Sequence, residues 1–414
     1  MLRLVSVLGV VALLGLCVAL SRDRRSISWR TVGMGLLILF TVAAVFLYWT
    51  PGNQALQGFG QKVEGFLRLS MRGTSFVFNA LADPVGLGRV FGPEKGFLFA
   101  AQVLPTLIFF ASFMAVLYHL GVMQAVVRGM AAVMVRLLRT SGSESLSACA
   151  NIFVGQTEAP LLVKPFLARM TRSEIHAIMT GGYATIAGGV FALYVGFGVD
   201  AGHLMVASVM GAPAGLLVSK LLWPETETSE TYGTVRVVAP RTAGNVVEAA
   251  ANGAIDGLHL ALNVAAMLIA FLGLVAVLDA ALGLVGGWTG YPGLDLGRVL
   301  GVIFYPVAAV LGVRGADVLP LAELLGTKLA LTELVAYQKL SGMQAELDPR
   351  TVRIASFALC GFANFGSVAI QIGGLSAMAP ERRPDIARLA LRAMFAGAIA
   401  TCLTAAIAGV VSDV

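Results

Sequence analysis

Charged side chains are scarce in this chain: Asp, Glu, Lys and Arg make up 13% of the 414 residues, against 57% hydrophobic residues and a mean hydropathy of +0.84. One water-soluble core cannot bury that much apolar surface, so the solvent is a bilayer. Cysteine is equally sparse. Cys17, Cys149, Cys360 and Cys402 lie in or beside apolar runs with no CxxC spacing, which excludes a disulfide framework and thiolate redox chemistry and leaves buried thiols. The histidines, His119, His176, His203 and His259, are scattered and read as interfacial or packed residues rather than ligands. No HExxH pair, no nucleophile set with a base and no diphosphate-binding Asp cluster occurs, so the chain does not read as a membrane enzyme. A continuous polar lining, which a gated pore needs, is also missing.

What is present is a series of apolar runs. Those that reach the roughly 17 to 25 residues needed to cross about 30 Å of hydrocarbon are 4–20, 32–49, 96–122, 175–198, 203–223, 254–285, 352–375 and 386–411, about eight spans. The first is not a cleaved signal. Its n-region has only Arg3, Leu16 stands where a lipoprotein signal needs a small residue, and "SRDRRSISWR" follows at once like a stop-transfer flank. The net charge of +6 collects at 22–30 (Arg22, Arg24, Arg25, Arg30), 128–139 (Arg128, Arg136, Arg139), 164–172 (Lys164, Arg169, Arg172) and 382–392 (Arg382, Arg383, Arg388, Arg392). Such clusters mark cytoplasmic loops. Eight spans with the N-terminus outside place all of them inside and return the C-terminus to the outside.

Three stretches fit neither a span nor an ordinary loop. In 53–82, Phe59, Val63, Phe66, Leu67 and Met71 recur every three or four positions, with Gln61, Lys62, Glu64, Arg68 and Arg72 between them, the pattern of an amphipathic helix lying in the interface, with a loop helix packed on the protein as the plainer alternative. In 141–169, "SGSES" leads into apolar "LSACANIFV", polar "GQTEAP" and apolar "LLVKPFLARM". A helix, a break at Gly155 to Pro160 and a second helix returning to the same side make a re-entrant hairpin. The third stretch repeats that grammar: 299–313 is apolar, "RGAD" at 314–317 is polar, and 318–340 carries Glu323, Lys328 and Glu333.

The two halves of the chain correspond. Thr157 and Glu158 are followed by a basic break and a helix interrupted at "GGYATIAGGV" (181–190); Thr332 and Glu333 are followed by a polar break and a helix interrupted at "CGFANFGSVAI" (360–370). Each unit ends in one more span, 203–223 or 386–411. The topology turns the first hairpin inward and the second outward, and inverted repeats whose broken helices meet at the midplane point to a secondary transporter.

A carboxylate within the membrane costs several kcal/mol unless it lines a cavity or has a partner, so Glu158 and Glu333 are candidates for function; capping a half-helix is the plainer role open to each. Gln156, Thr157, Asn364 and Ser367 beside them are neutral hydrogen-bonding groups, suited to a neutral, polyhydroxylated or amide-bearing solute and not to an anion. Lys328, five residues before Glu333, is within reach of the site or of that carboxylate. Asn151, Thr185 and Ile186 offer the hard oxygen donors of a small alkali cation, although packing through small polar residues explains the same pattern.

"GQTEAPLLVKPFL" (155–167), "GGYATIAGGV", "TELVAY" (332–337) and "CGFANFGSVAIQIGGL" (360–375) together resemble the concentrative nucleoside transporter family, in order and over nearly the whole chain. The resemblance implies an all-α polytopic membrane protein of the bacterial inner membrane, with about eight transmembrane helices, two re-entrant hairpins, an inverted repeat and an interfacial amphipathic helix. It implies a homotrimer in which a scaffold (1–122 and 240–285) holds a transport domain (141–223 and 297–411) that moves by an elevator-type step. By the same resemblance Gln156, Thr157, Glu158 and Val190 contact the nucleobase, Glu333, Asn364 and Ser367 hold the ribose hydroxyls, and Phe362 packs against the nucleoside. Sodium falls to the Asn151 side chain, the Thr180 carbonyl, the Thr185 hydroxyl and the Ile186 carbonyl. Thr185 stands where a Ser is familiar, with the hydroxyl kept, and the intact "GQTEAP" and Asn favour sodium over protons as the coupling ion. No organic cofactor and no nucleic-acid partner is implied.

Overall fold

A bilayer leaves no water for backbone N–H and C=O groups, so apolar runs satisfy them internally as helices. The computed structural model describes residues 1–92, 96, 98–233, 243–291 and 293–412. Residues 240–242 and the Glu64 side chain, both part of the sequence expectations, lie outside that set. In the first half the α-helices are α1 (Leu2–Ala19), α2 (Trp29–Ala43), α3 (Thr50–Phe78), α4 (Pro84–Phe91), α5 (Phe99–Gln102), α6 (Leu104–His119), α7 (Val122–Leu138), α8 (Gly142–Ala150), α9 (Lys164–Leu167), α10 (Arg172–Tyr183), α11 (Gly188–Gly196) and α12 (Ala201–Leu222). The second half holds α13 (Val246–Thr289), α14 (Leu296–Val310), α15 (Val318–Ala330), α16 (Glu333–Met343), α17 (Pro349–Leu359), α18 (Phe365–Met378) and α19 (Arg383–Val411).

Among the described residues, seven helical stretches are long and apolar enough to cross a membrane, not eight. The difference lies at 352–375, which is two shorter helices, α17 and α18, parted at 360–364. The corresponding break in the first half, 184–187 between α10 and α11, leaves a stretch that still qualifies as one span. The 254–285 run sits inside the 44-residue α13, where Leu272–Thr289 is a spanning stretch among the described residues. The amphipathic segment is helical over Thr50–Phe78. Its Phe66 ring meets Phe109 and Phe113 of α6 at 4.9 and 4.5 Å.

Both expected helix–break–helix segments are present, with one difference. In 141–169 the first limb is α8, but after the turn at 151–158 the second limb is a 3-10 stretch, Ala159–Val163, followed by the single turn of α9. Pro160 and Pro165 near the start of each piece withhold the N–H groups a continuous α-helix needs. The other segment is α15 and α16, joined at Leu331 and Thr332.

The packing repeats between the halves. In the first, α8 meets α7 and α10, α10 meets α12, and α12 and α7 meet α2; in the second, α15 meets α14 and α17, α17 meets α19, and α19 and α14 meet α1. The scheme is the one expected of a duplication. The longest shared interface joins α6 to α13, where a Cβ on Gly253 or Gly257 would collide with the α6 backbone.

Charge sorts to the ends of this assembly. At one end Thr31 Oγ1 donates to the Leu138 carbonyl (2.9 Å), Arg382 Nη1 donates to the carbonyls of Ala168 and Met170 (3.1 and 2.5 Å), and Arg172 pairs with Asp385 (2.9 Å). The first contact ties the residue after the 22–30 cluster to the 128–139 cluster, and the others tie the 164–172 cluster to the 382–392 cluster. At another, Arg3 Nε donates to the Ser412 carbonyl (3.2 Å) and Arg350 donates to the carbonyls of Gly312, Ser412 and Gly409 (2.9, 3.3 and 2.6 Å), so both chain ends lie together.

Candidate functional site

The two helix breaks lie against each other. The Phe362 N–H donates to the Thr185 carbonyl (3.3 Å), and a Cβ on Gly361 would stand 2.5 Å from the Tyr183 carbonyl oxygen, so only glycine permits this approach. On the other side of the first break, a Cβ on Gly211 of α12 would collide with the Ala184 carbonyl and come within 2.8 Å of Thr185 Cγ2. The unwound segments are therefore held between neighbouring backbones, which is where a membrane tolerates them.

Glu333 opens α16, with the Thr332 hydroxyl capping the helix by accepting from the Val335 N–H (3.3 Å). Its carboxylate is 5% exposed and accepts twice, from the Tyr194 hydroxyl at Oε1 (3.0 Å) and from Asn364 Nδ2 at Oε2 (2.8 Å). Asn364 in turn caps α18, its Oδ1 accepting from the Ser367 N–H (2.8 Å). Glu333, Asn364 and Ser367 thus form one bonded group, as grouped in the sequence. An ionised carboxylate accepts about four hydrogen bonds, so acceptor capacity remains after the side chains of Tyr194 and Asn364. Tyr194 was not among the sequence candidates. Its signal is its place four residues after Val190, one turn along the same face of α11, and its ring packs tilted against Tyr337 with centroids 4.3 Å apart.

The turn after α8 presents a neutral group. Gln156 Oε1 accepts from Gln371 Nε2 (2.9 Å), which also donates to the Met179 carbonyl (3.1 Å). Gln371 is the second residue missed in the sequence, although it lies four residues after Ser367 on α18. Thr157 faces the same helix, where a Cβ on Gly374 would stand 3.0 Å from Thr157 Cγ2. Glu158 is exposed at the turn, with its carboxylate folded over Gly155; among the described residues no hydrogen bond ties it to the Glu333 group. Val190 is buried and Phe362 half-buried beside the paired breaks.

Lys328 is directed elsewhere. Its ammonium, buried in α15, donates to the Ala358 carbonyl and Thr401 Oγ1, both at 2.8 Å, and so ties α15 to α17 and α19. Among the described residues no ion pair joins it to Glu333.

The oxygen donors expected to hold an ion also cluster. Asn151 donates through Nδ2 to the Ser147 carbonyl (3.0 Å), while its Oδ1 is buried with no hydrogen-bond partner among the described residues. Thr185 Oγ1 donates to the Gly181 carbonyl (2.9 Å), leaving its lone pairs available, and a Cβ on Gly181 would lie 3.7 Å from Asn151 Nδ2. The Thr180 side chain turns to His176 Nδ1 (3.5 Å), so that residue offers only its carbonyl. A buried, unsatisfied acceptor beside a hydroxyl and a helix break fits a small hard cation.

Three family models cover most of the chain: "Na+ dependent nucleoside transporter N-terminus" on residues 8–81, "Nucleoside recognition" on 100–201 and "Na+ dependent nucleoside transporter C-terminus" on 203–409. An uncharacterized transporter of Haemophilus influenzae is 46% identical over 98% of this chain and 96% of its own. Mouse sodium/nucleoside cotransporter 1 is 41% identical over 99% of this chain, which spans 64% of that longer protein. The fold is similar to solved structures of CNTnw at 42 to 43% identity and 99% coverage of this chain: TM-score 0.93 for the inward-facing substrate-bound state (98% of that chain) and 0.95 for an outward-facing double mutant (98% of that chain).

Proposed function

This chain belongs to the Na+-dependent nucleoside transporter family, a family of multi-pass membrane cotransporters rather than enzymes, and on that premise we propose that it imports nucleosides in symport with sodium. The observation that carries the reading is the Glu333 carboxylate, buried, ionisable and left with open acceptor lone pairs after Tyr194 and Asn364. Two vicinal ribose hydroxyls are matched donors for them. Asn364 and Ser367 complete that end, Phe362 packs on the nucleoside, and Gln156, Thr157, Glu158 and Val190 meet the base.

Sodium in this reading is held by Asn151 Oδ1, the Thr185 hydroxyl and the Thr180 and Ile186 carbonyls. The hydrogen bond from Phe362 to the Thr185 carbonyl makes the ion's break and the nucleoside's break one unit. Ordering the first therefore positions the second, which gives each ligand a higher affinity when the other is bound. The hairpins re-enter the membrane from opposite sides, the basic clusters face the cytoplasm and both termini the periplasm of the bacterial inner membrane. The scaffold is centred on α6 and α13. Within its expected 1–122 portion, α3 packs on α6 and equally on α12, and α1 and α2 pack on α19 and α12, the helices of the moving body. The α13 face carrying Ile255, Leu258, Leu262 and Ile269 is exposed and suits the contact of a homotrimer. The loaded body then moves against that scaffold in an elevator-type step.

Counterflow tests the function itself. Proteoliposomes preloaded with unlabelled uridine and diluted into labelled uridine with sodium on both sides should show a transient, saturable overshoot. A pore would equilibrate without one, and absence of the overshoot with several nucleosides would refute the proposal.

Two further results are expected. Thr185→Ala should lower apparent sodium affinity about tenfold, equivalent to roughly 1.4 kcal/mol, while nucleoside affinity at saturating sodium changes little; a sodium curve identical to the parent's would remove Thr185 from the ion site. Gln371→Leu keeps the side-chain volume but removes the donor that orients Gln156. Loss of one neutral hydrogen bond costs about 1 kcal/mol, so KM for uridine should rise about fivefold with sodium dependence unchanged. An unaltered KM would show that Gln156 needs no such support.

A further inference from the structure

Away from the breaks, at the end where the basic clusters meet, a cavity of about 240 Å³ is lined by Arg22, Arg172, Trp223, Asp385, Arg388 and Arg392. Its walls come from the α1–α2 connection, α10, the end of α12 and the first turns of α19. The indole of Trp223 is 7% exposed and is met by two guanidiniums, Arg22 at 4.4 Å and Arg392 at 5.3 Å from the ring centroid. The backbone fixes this arrangement. The Arg22 N–H donates to the Leu222 carbonyl (3.0 Å), and Ser173 Oγ donates to the Trp223 carbonyl (2.8 Å).

The charges do not balance. The one carboxylate in the lining, Asp385, is taken by Arg172 (2.9 Å) and by Arg382 from outside it (3.1 Å). Arg22 and Arg392 have the indole face, and Arg388 has neither an ion pair nor a ring contact among the described residues. Four guanidiniums against one carboxylate leave a surplus of three positive charges around one small cavity. Membrane orientation needs only arginines at this end, and Arg24, Arg25, Arg128 and Arg383 supply them outside the cavity. It does not require their convergence from separate elements on a single ring.

We infer that this cavity is a binding site for a phosphate group, held by Arg22, Arg388 and Arg392 beside Trp223. Guanidiniums match phosphate oxygens with paired N–H donors, and basic pockets between membrane helices on this side receive anionic headgroups. A cavity of 240 Å³ is smaller than the ~300 to 1,000 Å³ of sites that enclose drug-sized ligands, so it takes a phosphate or a headgroup rather than a whole nucleotide. The phosphate reaches it as an anionic phospholipid headgroup or as a free ion. Because Arg22 lies between α1 and α2 and the other walls on α10, α12 and α19, occupancy ties these elements together.

The test is the melting temperature of the purified full-length protein in phosphate-free detergent, with short-chain phosphatidylglycerol, phosphatidylcholine or inorganic phosphate added. Phosphatidylglycerol is expected to raise it by several degrees and phosphatidylcholine by much less. An equal response to inorganic phosphate identifies the free ion as sufficient; a response to phosphatidylglycerol alone identifies the lipid. In Arg388→Gln/Arg392→Gln the shift should fall at least twofold, while Arg128→Gln/Arg383→Gln, which removes the same charge outside the cavity, should retain it. Native mass spectrometry of Arg388→Gln alone, an exposed side chain whose loss leaves the fold intact, should show fewer retained phosphatidylglycerol molecules. No response to either anion, an equal response to phosphatidylcholine, or unchanged shifts and lipid retention in the cavity variants would overturn the inference.

Discussion

Glu333→Gln is expected to weaken uridine binding by about 1.5 to 3 kcal/mol, the worth of a hydrogen bond to a charged group, or roughly 10- to 150-fold in Kd. The fold should survive the change. Glutamine keeps the shape of Glu333, its oxygen still accepts from Asn364 Nδ2, and its amide donates to the Tyr194 hydroxyl, which turns from donor to acceptor. What disappears is the charge and one of the two acceptor oxygens assigned to the ribose, since the amide nitrogen only donates. Isothermal titration with uridine and with 2′,3′-dideoxyuridine separates the effects: the parent should prefer uridine strongly, and the variant should bind the two nearly alike. Unchanged uridine affinity in a folded variant would remove Glu333 from the ribose site.

Lys220→Met is the second large effect, and it falls on stability. The Lys220 ammonium lies near the end of α12, buried, 2.7 Å from Glu144 Oε2, 2.8 Å from Ser173 Oγ and 3.4 Å from Glu225 Oε2. It thereby closes the base of the first hairpin. Glu144 completes a capping box on α8 with Ser141, and Ser173 lies in the first turn of α10, so the ion pair to Glu144 and the hydrogen bond to Ser173 together fix two helix starts to the end of a third. Removing one partner of a buried pair leaves the other charge uncompensated and costs about 3 to 5 kcal/mol. A fall in melting temperature much larger than that of the surface change Arg169→Gln, whose partner Glu230 is half-exposed, is the expected result. The double change Lys220→Met/Glu144→Gln should recover much of the loss. Equal melting of parent and Lys220→Met would show that this pair does not hold the hairpin.

What could be read from the chain follows from where polar groups are expensive. The breaks at 184–187 and 360–364 stood out because glycine and amide residues interrupt apolar runs, and they are non-helical where expected. The grouping of Glu333 with Asn364 and Ser367 comes from the family resemblance, not from the interruption of the apolar runs. Proline chemistry decided the shape of the first hairpin's second limb, where Pro160 and Pro165 give a 3-10 stretch and one helical turn instead of a continuous helix. Tyr194 and Gln371 were overlooked because they lie inside helices, one or two turns beyond the breaks, where an aromatic or an amide reads as ordinary packing. Lys328 was legible as a buried cation but not by its partners: Ala358 and Thr401 lie on helices far along the chain, and only folding brings their oxygens to its ammonium. The Lys220 network was hidden likewise, since Glu144 reads as a helix cap and the lysine that pairs with it belongs to another helix.

Sodium coupling is the central claim, and gradient-driven uptake into proteoliposomes tests it most directly. Labelled uridine is supplied outside with an inward sodium gradient, or with an inward proton gradient at equal sodium. Accumulation above the equilibrium level with the sodium gradient alone, abolished when an ionophore collapses it, is the result expected if Asn151 and Thr185 hold the coupling ion. Accumulation driven by protons and indifferent to sodium would contradict that assignment and move the coupling to a carboxylate.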